Sequence, residues 1–444
     1  MTTEDREPVE KTPGPVAAQQ TGTDPDPRPG DVVGPVTVGP IAHGGHCVAR
    51  HDGRVIFTRH ALPGEEVMIT LTDTSQRKFW RGDATTVITS SADRIEPACR
   101  ISGPGLCGGC DFQHIELTAQ RELKAAVLAE QLQRLAGIEL DVPVEQVPMP
   151  TGSDMVGDGF GWRTRMRYLL DDRGRPGLRA HRSHRIITLP AEGCRIAAPT
   201  IAHPGRVGAE PDTDPQGGVD PQGGVDPQGG SELIGIAAKD GPHWITGASE
   251  PVVEHAAGRD WRVAGDGFWQ VHPSAADTLV EAVLEALGPT PGENAFDLYC
   301  GVGLFTGALI DAGCRVVGVE SSHGAVADAR HNLSDAGPRA RFVAGRVDRA
   351  LRQPRGKGAL PRSTDLVVLD PPRTGAGRAV VQQIAARRPR AIAYVACDPA
   401  ALARDLGYFD KHGYELESLR AFDLFPMTHH LECVALVQPA GDPA

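Results

Sequence analysis

The stretch NAFDLYCGVGLFTGALIDAG, residues 294–313, constrains this 444-residue chain more than any other. An apolar run, NAFDLYC, passes into a turn that carries Gly301, Gly303 and Gly307 and then into a helix-forming segment. Glycines at a strand-to-helix turn serve where a ligand must approach the backbone without meeting a Cβ. A second run, CRVVGVE, ends in Glu320, about twenty residues after the turn, the place for a carboxylate that holds ribose hydroxyls. Further strand-like runs (RARFVAG, TDLVVLD, RAIAYVAC, LECVALVQP) alternate with helical segments. From Trp261 onward the pattern predicts a doubly wound α/β domain with a largely parallel sheet. The glycine spacing and Glu320 alone also suit a nicotinamide dinucleotide enzyme.

What separates those readings is LVVLDPPRTG, Leu366–Gly375. Asp370 leaves a strand directly into Pro371-Pro372, which sets a rigid loop at the carboxyl edge of the sheet, where open α/β folds bind ligands. Dehydrogenases do not usually carry D-P-P there. Amino-methyltransferases carry a related N/D-P-P-Y, and this chain has Arg373 in place of the aromatic.

The N-terminal half reads differently. Residues 1–30 are rich in Pro, Thr, Asp and Glu and contain no apolar core of a signal peptide, so they are expected to be a disordered tail. Residues 31–93 alternate short β-branched runs with Asp-Gly and Pro-Gly turns, as a small all-β barrel does. A helix is expected over Leu117–Ala136, with Leu123, Val127, Leu128, Leu132 and Leu135 on one face. Residues 160–190 predict a hairpin crowded with arginines, in which Arg163, Arg165 and Arg167 share one strand face as a phosphate-binding stripe. A hexapeptide repeat, DPQGGV, begins at Asp214 within a segment, 204–231, that is expected to be a flexible insertion. No run of eighteen apolar residues exists, so no membrane span is expected and a cytoplasmic location follows. The net charge of −12 argues against a nucleic-acid partner, but it averages over tails, and local basic patches matter more for binding.

Nine cysteines are an odd number for a disulfide framework. Cys99, Cys107 and Cys110 are spaced C-x7-C-x2-C, and Cys194 follows later; such a set suits zinc or a four-iron cluster.

FWQVHP (Phe268–Pro273), DLYCGVGLFTG, GVE, DPPRTG, YVACDP and DLFPMTHHLECV (Asp423–Val434) occur in the order found in the S-adenosylmethionine-dependent RNA 5-methyluridine methyltransferases, which this chain resembles from Trp261 to its end. The resemblance implies a Rossmann-like class I methyltransferase domain (261–444), preceded by a TRAM-like OB barrel for RNA binding (31–93) and a small central α+β domain (94–260). It implies that Gln270, Tyr299, Gly301, Gly303, Glu320 and Asp370 bind the cofactor, and that Cys99, Cys107, Cys110 and Cys194 hold a [4Fe–4S] cluster. Two departures stand out: Leu304 where the family often has Asn, and Asp398 where it usually has Asn after the cysteine.

Carbon 5 of uracil is a poor nucleophile, so its methylation needs a thiolate to add at carbon 6 and a base to remove the carbon 5 proton. Cys397 ends an apolar strand on the same sheet edge as Asp370, and Glu432 starts the last strand. By resemblance Cys397 is the nucleophile and Glu432 the base, while Cys433, Cys300 and Cys314 are expected to pack. A target base must be unpaired or flipped to be reached. The expected substrate is 23S ribosomal RNA, with transfer RNA as the alternative and a non-catalytic RNA-binding protein as a third reading; a monomer without membrane contact is expected.

Overall fold

The computed structural model describes residues 27–150, 158–205, 232–247, 250–353, 356 and 358–441. The repeat that begins at Asp214 and the tail up to residue 26 lie outside the described residues. Five strands, β1 (Val32–Ala42), β2 (His46–His51), β3 (Arg54–Arg59), β4 (Glu66–Asp73) and β5 (Phe79–Thr89), close into a barrel in the order β1-β2-β3-β5-β4. The two-residue period explains its core: Val67, Ile69 and Leu71 of β4 point inward and are fully buried, while Met68 and Thr70 between them are not.

Helix α1 (Leu117–Ala136) begins at Glu116, whose carboxylate accepts from the backbone N–H groups of Thr118 and Ala119, and ends at Gly137 in the left-handed conformation (φ 71°). Its Ala119 and Val127 pack into the barrel core, and its Leu128 and Leu132 into a core of the C-terminal sheet. One helix therefore holds the barrel against the C-terminal domain. Strand β6 (Val144–Gln146) then joins the edge of that sheet. The middle of the chain forms β7 (Arg165–Leu170), β8 (Pro176–Arg179), β9 (Ile186–Thr188), β10 (Glu232–Ala238) and β11 (Gly241–Ile245) in the order β11-β10-β7-β8-β9, followed by the antiparallel pair β12 (Pro251–Ala256) and β13 (Arg259–Ala264).

The C-terminal domain runs α2 (Ala275–Leu287), β14 (Asn294–Leu298), α3 (Leu304–Asp311), β15 (Arg315–Glu320), α4 (His323–Asn332), β16 (Ala340–Ala344), α5 (Val347–Arg352), β17 (Leu366–Leu369), α6 (Arg378–Ala385), β18 (Ala391–Ala396), α7 (Pro399–Asp410), β19 (Tyr414–Asp423) and β20 (Glu432–Pro439). Its sheet order is β16-β15-β14-β17-β18-β20-β19-β6, with β14 to β18 parallel and β20 inserted antiparallel between β18 and β19. The order reverses between β14 and β17, and ligands of doubly wound sheets bind outside the strand ends at such a point. The fold is thus a doubly wound α/β domain behind an N-terminal barrel. Among the described residues no helix is long and apolar enough to cross a membrane.

Candidate active site

Three loops meet at the carboxyl edge of the sheet. The first leaves β14: Tyr299 takes a positive φ of 67°, and Gly301 and Gly303 follow at 52° and 97°. A Cβ on Gly301 would meet nothing within 4 Å, so this backbone faces open space. Its N–H donates to Glu320 Oε2 at 3.3 Å, and Glu320 Oε1 accepts from the Ser322 N–H at 2.7 Å. Glu320 at the end of β15 thereby braces the glycine turn. Gln270 is buried in the loop between β13 and α2. Leu304 does not face this space, because its side chain is buried in the core with Trp261 and Leu333.

Asp297, the first residue of the glycine motif, is fully buried: Thr306 donates to its Oδ2 at 2.6 Å and its Oδ1 has no partner. Burial pushes its carboxyl up to about 7. The signal for it in the sequence is its place near the end of β14, four residues before Gly301.

The second and third loops follow β17 and β18. Asp370 leaves β17 and its carboxyl is raised to about 7 by burial and then by the charge of Asp297. In the β18–β20 ladder Val395 pairs with Val434 and Ala396 with Cys433. One residue further on, the same register sets Cys397 opposite Glu432, and cross-strand neighbours lie roughly 5 Å apart at Cβ. Cys433 faces the other way and is fully buried in the core, as alternation requires. Burial, then the charges of Glu432 and Asp370, push the Cys397 thiol up to about 12, while Arg373 opposes them. Glu432 is held well above the usual carboxylate range by burial and by Asp370.

Cys397 borders a cavity of about 180 Å³, walled by the barrel turn His43–Gly45, by Leu123, Lys124 and Val127 of α1, by Arg373 and by His429–Leu431. A 150 Å³ apolar cavity takes a benzene ring, so this one has room for one pyrimidine. A Cβ on Gly45 would lie 2.7 Å from the His429 Cβ, so the barrel turn closes directly onto the loop that leads to Glu432. His429 Nδ1 is bonded to Asp111 Oδ2 at 2.5 Å, and Asp111 also accepts from Arg59 of β3 at 2.7 Å.

Residues 256–439 match the family model described as tRNA (Uracil-5-)-methyltransferase, and residues 31–85 match that of the TRAM domain. A Streptomyces avermitilis protein described as an uncharacterized RNA methyltransferase is 47% identical over 91% of this chain and 98% of its own length. A Shewanella protein named 23S rRNA (uracil(1939)-C(5))-methyltransferase is 30% identical over 90% of this chain and 94% of its own length. The chain belongs to the RNA uracil-C5 methyltransferase family. Its fold also matches the crystal structure of Pyrococcus abyssi tRNA (uracil-54, C5)-methyltransferase in complex with S-adenosyl-L-homocysteine, with a TM-score of 0.63 at 21% identity, covering 91% of this chain and 99% of that one.

In this methyltransferase the four spaced cysteines gather from two segments. Cys99, Cys107, Cys110 and Cys194 are free thiols on the wall of one cavity of about 570 Å³. Gly108 between them packs so closely that a Cβ would sit 2.8 Å from the His181 Cα. Among the described residues no three His, Cys, Asp or Glu side chains are placed to hold a single metal ion.

The arginine stripe is corrected by the structure. Arg165 is buried, its Nη2 2.9 Å from Glu254 Oε1 and its Nη1 donating to the Gly265 and Gly267 carbonyls. Arg163 lies outside β7, and Arg165 is packed against β12 and the 265–267 loop instead of water. Arg167 is exposed and paired with Glu232 at 3.0 Å, and Arg163 Nε donates to the Arg165 carbonyl. Arg179 and Arg182 are exposed, and Arg182 lies near enough to Arg81 and His46 of the barrel for its charge to act on both.

Proposed function

We propose that this methyltransferase makes 5-methyluridine in ribosomal RNA of the 23S class, with Cys397 as nucleophile and Glu432 as general base. The observation that carries the reading is the β18–β20 register: it sets a thiol and a carboxyl opposite each other, and the thiol borders a cavity with room for one pyrimidine. S-adenosylmethionine, when bound, supplies an electrophilic methyl on a positively charged sulfur. Gln270, Tyr299, Gly301, Gly303, Glu320 and Asp370 are the residues proposed to hold it.

The steps of the protein's own groups follow from their environments. The resting thiol is protonated, since burial and two neighbouring carboxyls disfavour its anion. Arg373 opposes those carboxyls and favours the thiolate, whose proton passes to solvent. Cys397 Sγ then forms a bond to carbon 6, and the electron pair of the ring double bond passes to carbon 5 and the adjoining carbonyl, so that carbon 5 can accept the methyl group. Glu432, in its ionised form, takes the proton from carbon 5; the electrons re-form the ring double bond, the Sγ–carbon 6 bond breaks, and the thiolate leaves. A base whose proton affinity is raised by burial suits this last transfer.

Cys99, Cys107, Cys110 and Cys194 are proposed to hold a [4Fe–4S] cluster, which would tie the loop at 99–110 to the one at 194. All-thiol donors on one cavity wall fit such a group. No step of the reaction passes through it. Ribosomal RNA is favoured over transfer RNA because the 30% identical, nearly full-length relative is named for 23S rRNA. The test is methyl transfer from labelled S-adenosylmethionine to RNA from a strain lacking the gene. The unaltered protein should label 23S rRNA at carbon 5 of a uridine and Cys397→Ala should not. Transfer by Cys397→Ala would refute the nucleophile, and labelling of transfer RNA alone would refute the substrate.

A further inference from the structure

Asp398, the residue after the proposed nucleophile, is joined to a histidine on the barrel. His43 Nε2 lies 3.0 Å from Asp398 Oδ2, across a sequence separation of 355 residues. The other carboxylate oxygen, Oδ1, accepts from the Ala401 N–H at 2.8 Å, which makes Asp398 the N-cap of α7 with Pro399 in the first turn. Capping alone does not call for a charge, because Asn caps a helix as well as Asp. A carboxylate beside a thiol disfavours thiolate formation, and the Asp398 charge acts on Cys397 in that sense. Without a counter-charge, the residue that fixes the backbone at Cys397 would therefore impede its chemistry.

We propose that His43 is a positioning residue for the methyl-transfer reaction: its imidazolium neutralises Asp398, so that α7 is capped without setting a bare anion against the Cys397 thiolate. The barrel then does more than hold RNA; its β1–β2 turn completes the electrostatics of the nucleophile. The turn is built for this approach, with Gly44 and Gly45 both in the left-handed region (φ 89° and 74°) and Gly45 packed on His429. The charged groups facing His43 are Asp398 at the start of α7 and Glu130 and Arg134 on α1. Those facing Cys397 are Glu432, Asp370 and Asp398, with Arg373 opposing them. The hydrogen bond to Asp398 raises the His43 pKa against the effect of burial. Below that pKa the His43–Asp398 pair is neutral overall. As pH rises through it, Asp398 acts on the thiol without compensation.

This inference rests on Cys397 as nucleophile, and its test separates the two. The alkylation rate of Cys397 by iodoacetamide, read from its peptide by mass spectrometry on the full chain, follows its thiolate fraction. In the unaltered protein the logarithm of that rate against pH should rise with a shallow shoulder where His43 titrates. His43→Ala should run about three- to tenfold slower below the shoulder and converge with the unaltered protein above it, since one pKa unit is tenfold in thiolate. Asp398→Asn should be faster with no shoulder, and adding His43→Ala to it should change nothing. Methyl transfer to RNA should rank the four proteins in the same order. A His43→Ala profile that matches the unaltered protein, or is slower by one factor at every pH, overturns the proposal. So does a further loss when His43→Ala is added to Asp398→Asn. The expected alkylation pattern without the matching order in methyl transfer would overturn the role in the reaction and put the nucleophile assignment itself at fault.

Discussion

Lys124 is the clearest place to strike the architecture that shapes the cavity beside Cys397. Its ammonium, on α1, donates to Asp423 Oδ1 at 2.6 Å and to the Phe425 carbonyl at 3.1 Å, and both side chains are almost wholly shielded, at 1% and 2% exposed. These bonds pin the start of the segment between β19 and β20, which continues through His429 and His430 to Glu432. Lys124→Met keeps the volume of the stem and removes the charge. Asp423 is then a buried carboxylate without a cation, and breaking one partner of such a pair costs about 3–5 kcal/mol, whereas neutral replacement of both partners costs far less. Urea unfolding of the full chain, followed at the first transition, should show a loss of that size for Lys124→Met. Lys124→Met with Asp423→Asn should recover at least half of it. Methyl transfer should fall even below the transition, because the segment leading to Glu432 is no longer tied to α1. A loss under about 1 kcal/mol, or a double variant no better than the single one, would refute the reasoning that an unpaired buried charge dominates.

Two further outcomes follow from buried groups. The Asp297 carboxyl is raised in the fold to about 7, so it contributes fully only below its unfolded value near 4 and that contribution is lost as pH rises to about 7. Asp297→Asn should therefore gain stability relative to the unaltered protein between about pH 4 and pH 7, by up to about 4 kcal/mol in all, and urea midpoints at both ends should widen accordingly; a gap constant with pH contradicts this. Protein purified without oxygen should be brown, with iron and sulfide both near four per chain (roughly the content of one cubane cluster), and should lose colour and stability on exposure to air. One zinc per chain would overturn the cluster.

Local signals carried much of this molecule. β-Branched runs with period two, the glycine turn and the D-P-P loop each constrain a few neighbouring residues, so the α/β domain and the barrel were legible before any contact was known. The helix over Leu117–Ala136 was legible from its apolar spacing, but its buried face was only partly so: Leu135 is 40% exposed, while Gln120, Lys124 and Gln131 are buried. Contacts between distant segments were not. Lys124 with Asp423, Asp111 with His429 and His43 with Asp398 join residues about 300 or more apart, and no periodicity encodes them. Arg165 failed for a related reason: alternation tells which residues share a face, but only packing tells whether that face meets water or Glu254. Asp398 had a readable half, because Asp before Pro is a helix-start signature. Its partner on the barrel was out of reach of the sequence.

The most direct test of covalent catalysis is Glu432→Gln incubated with S-adenosylmethionine and substrate RNA. Without a base to take the carbon 5 proton, the thioether between Cys397 and carbon 6 cannot be expelled. A denaturing gel should show a protein–RNA species that nuclease digestion reduces to a methylated nucleotide on the Cys397 peptide, absent when Cys397→Ala is added. Turnover by Glu432→Gln at the unaltered rate with no adduct, or an adduct on any other cysteine, would contradict the account.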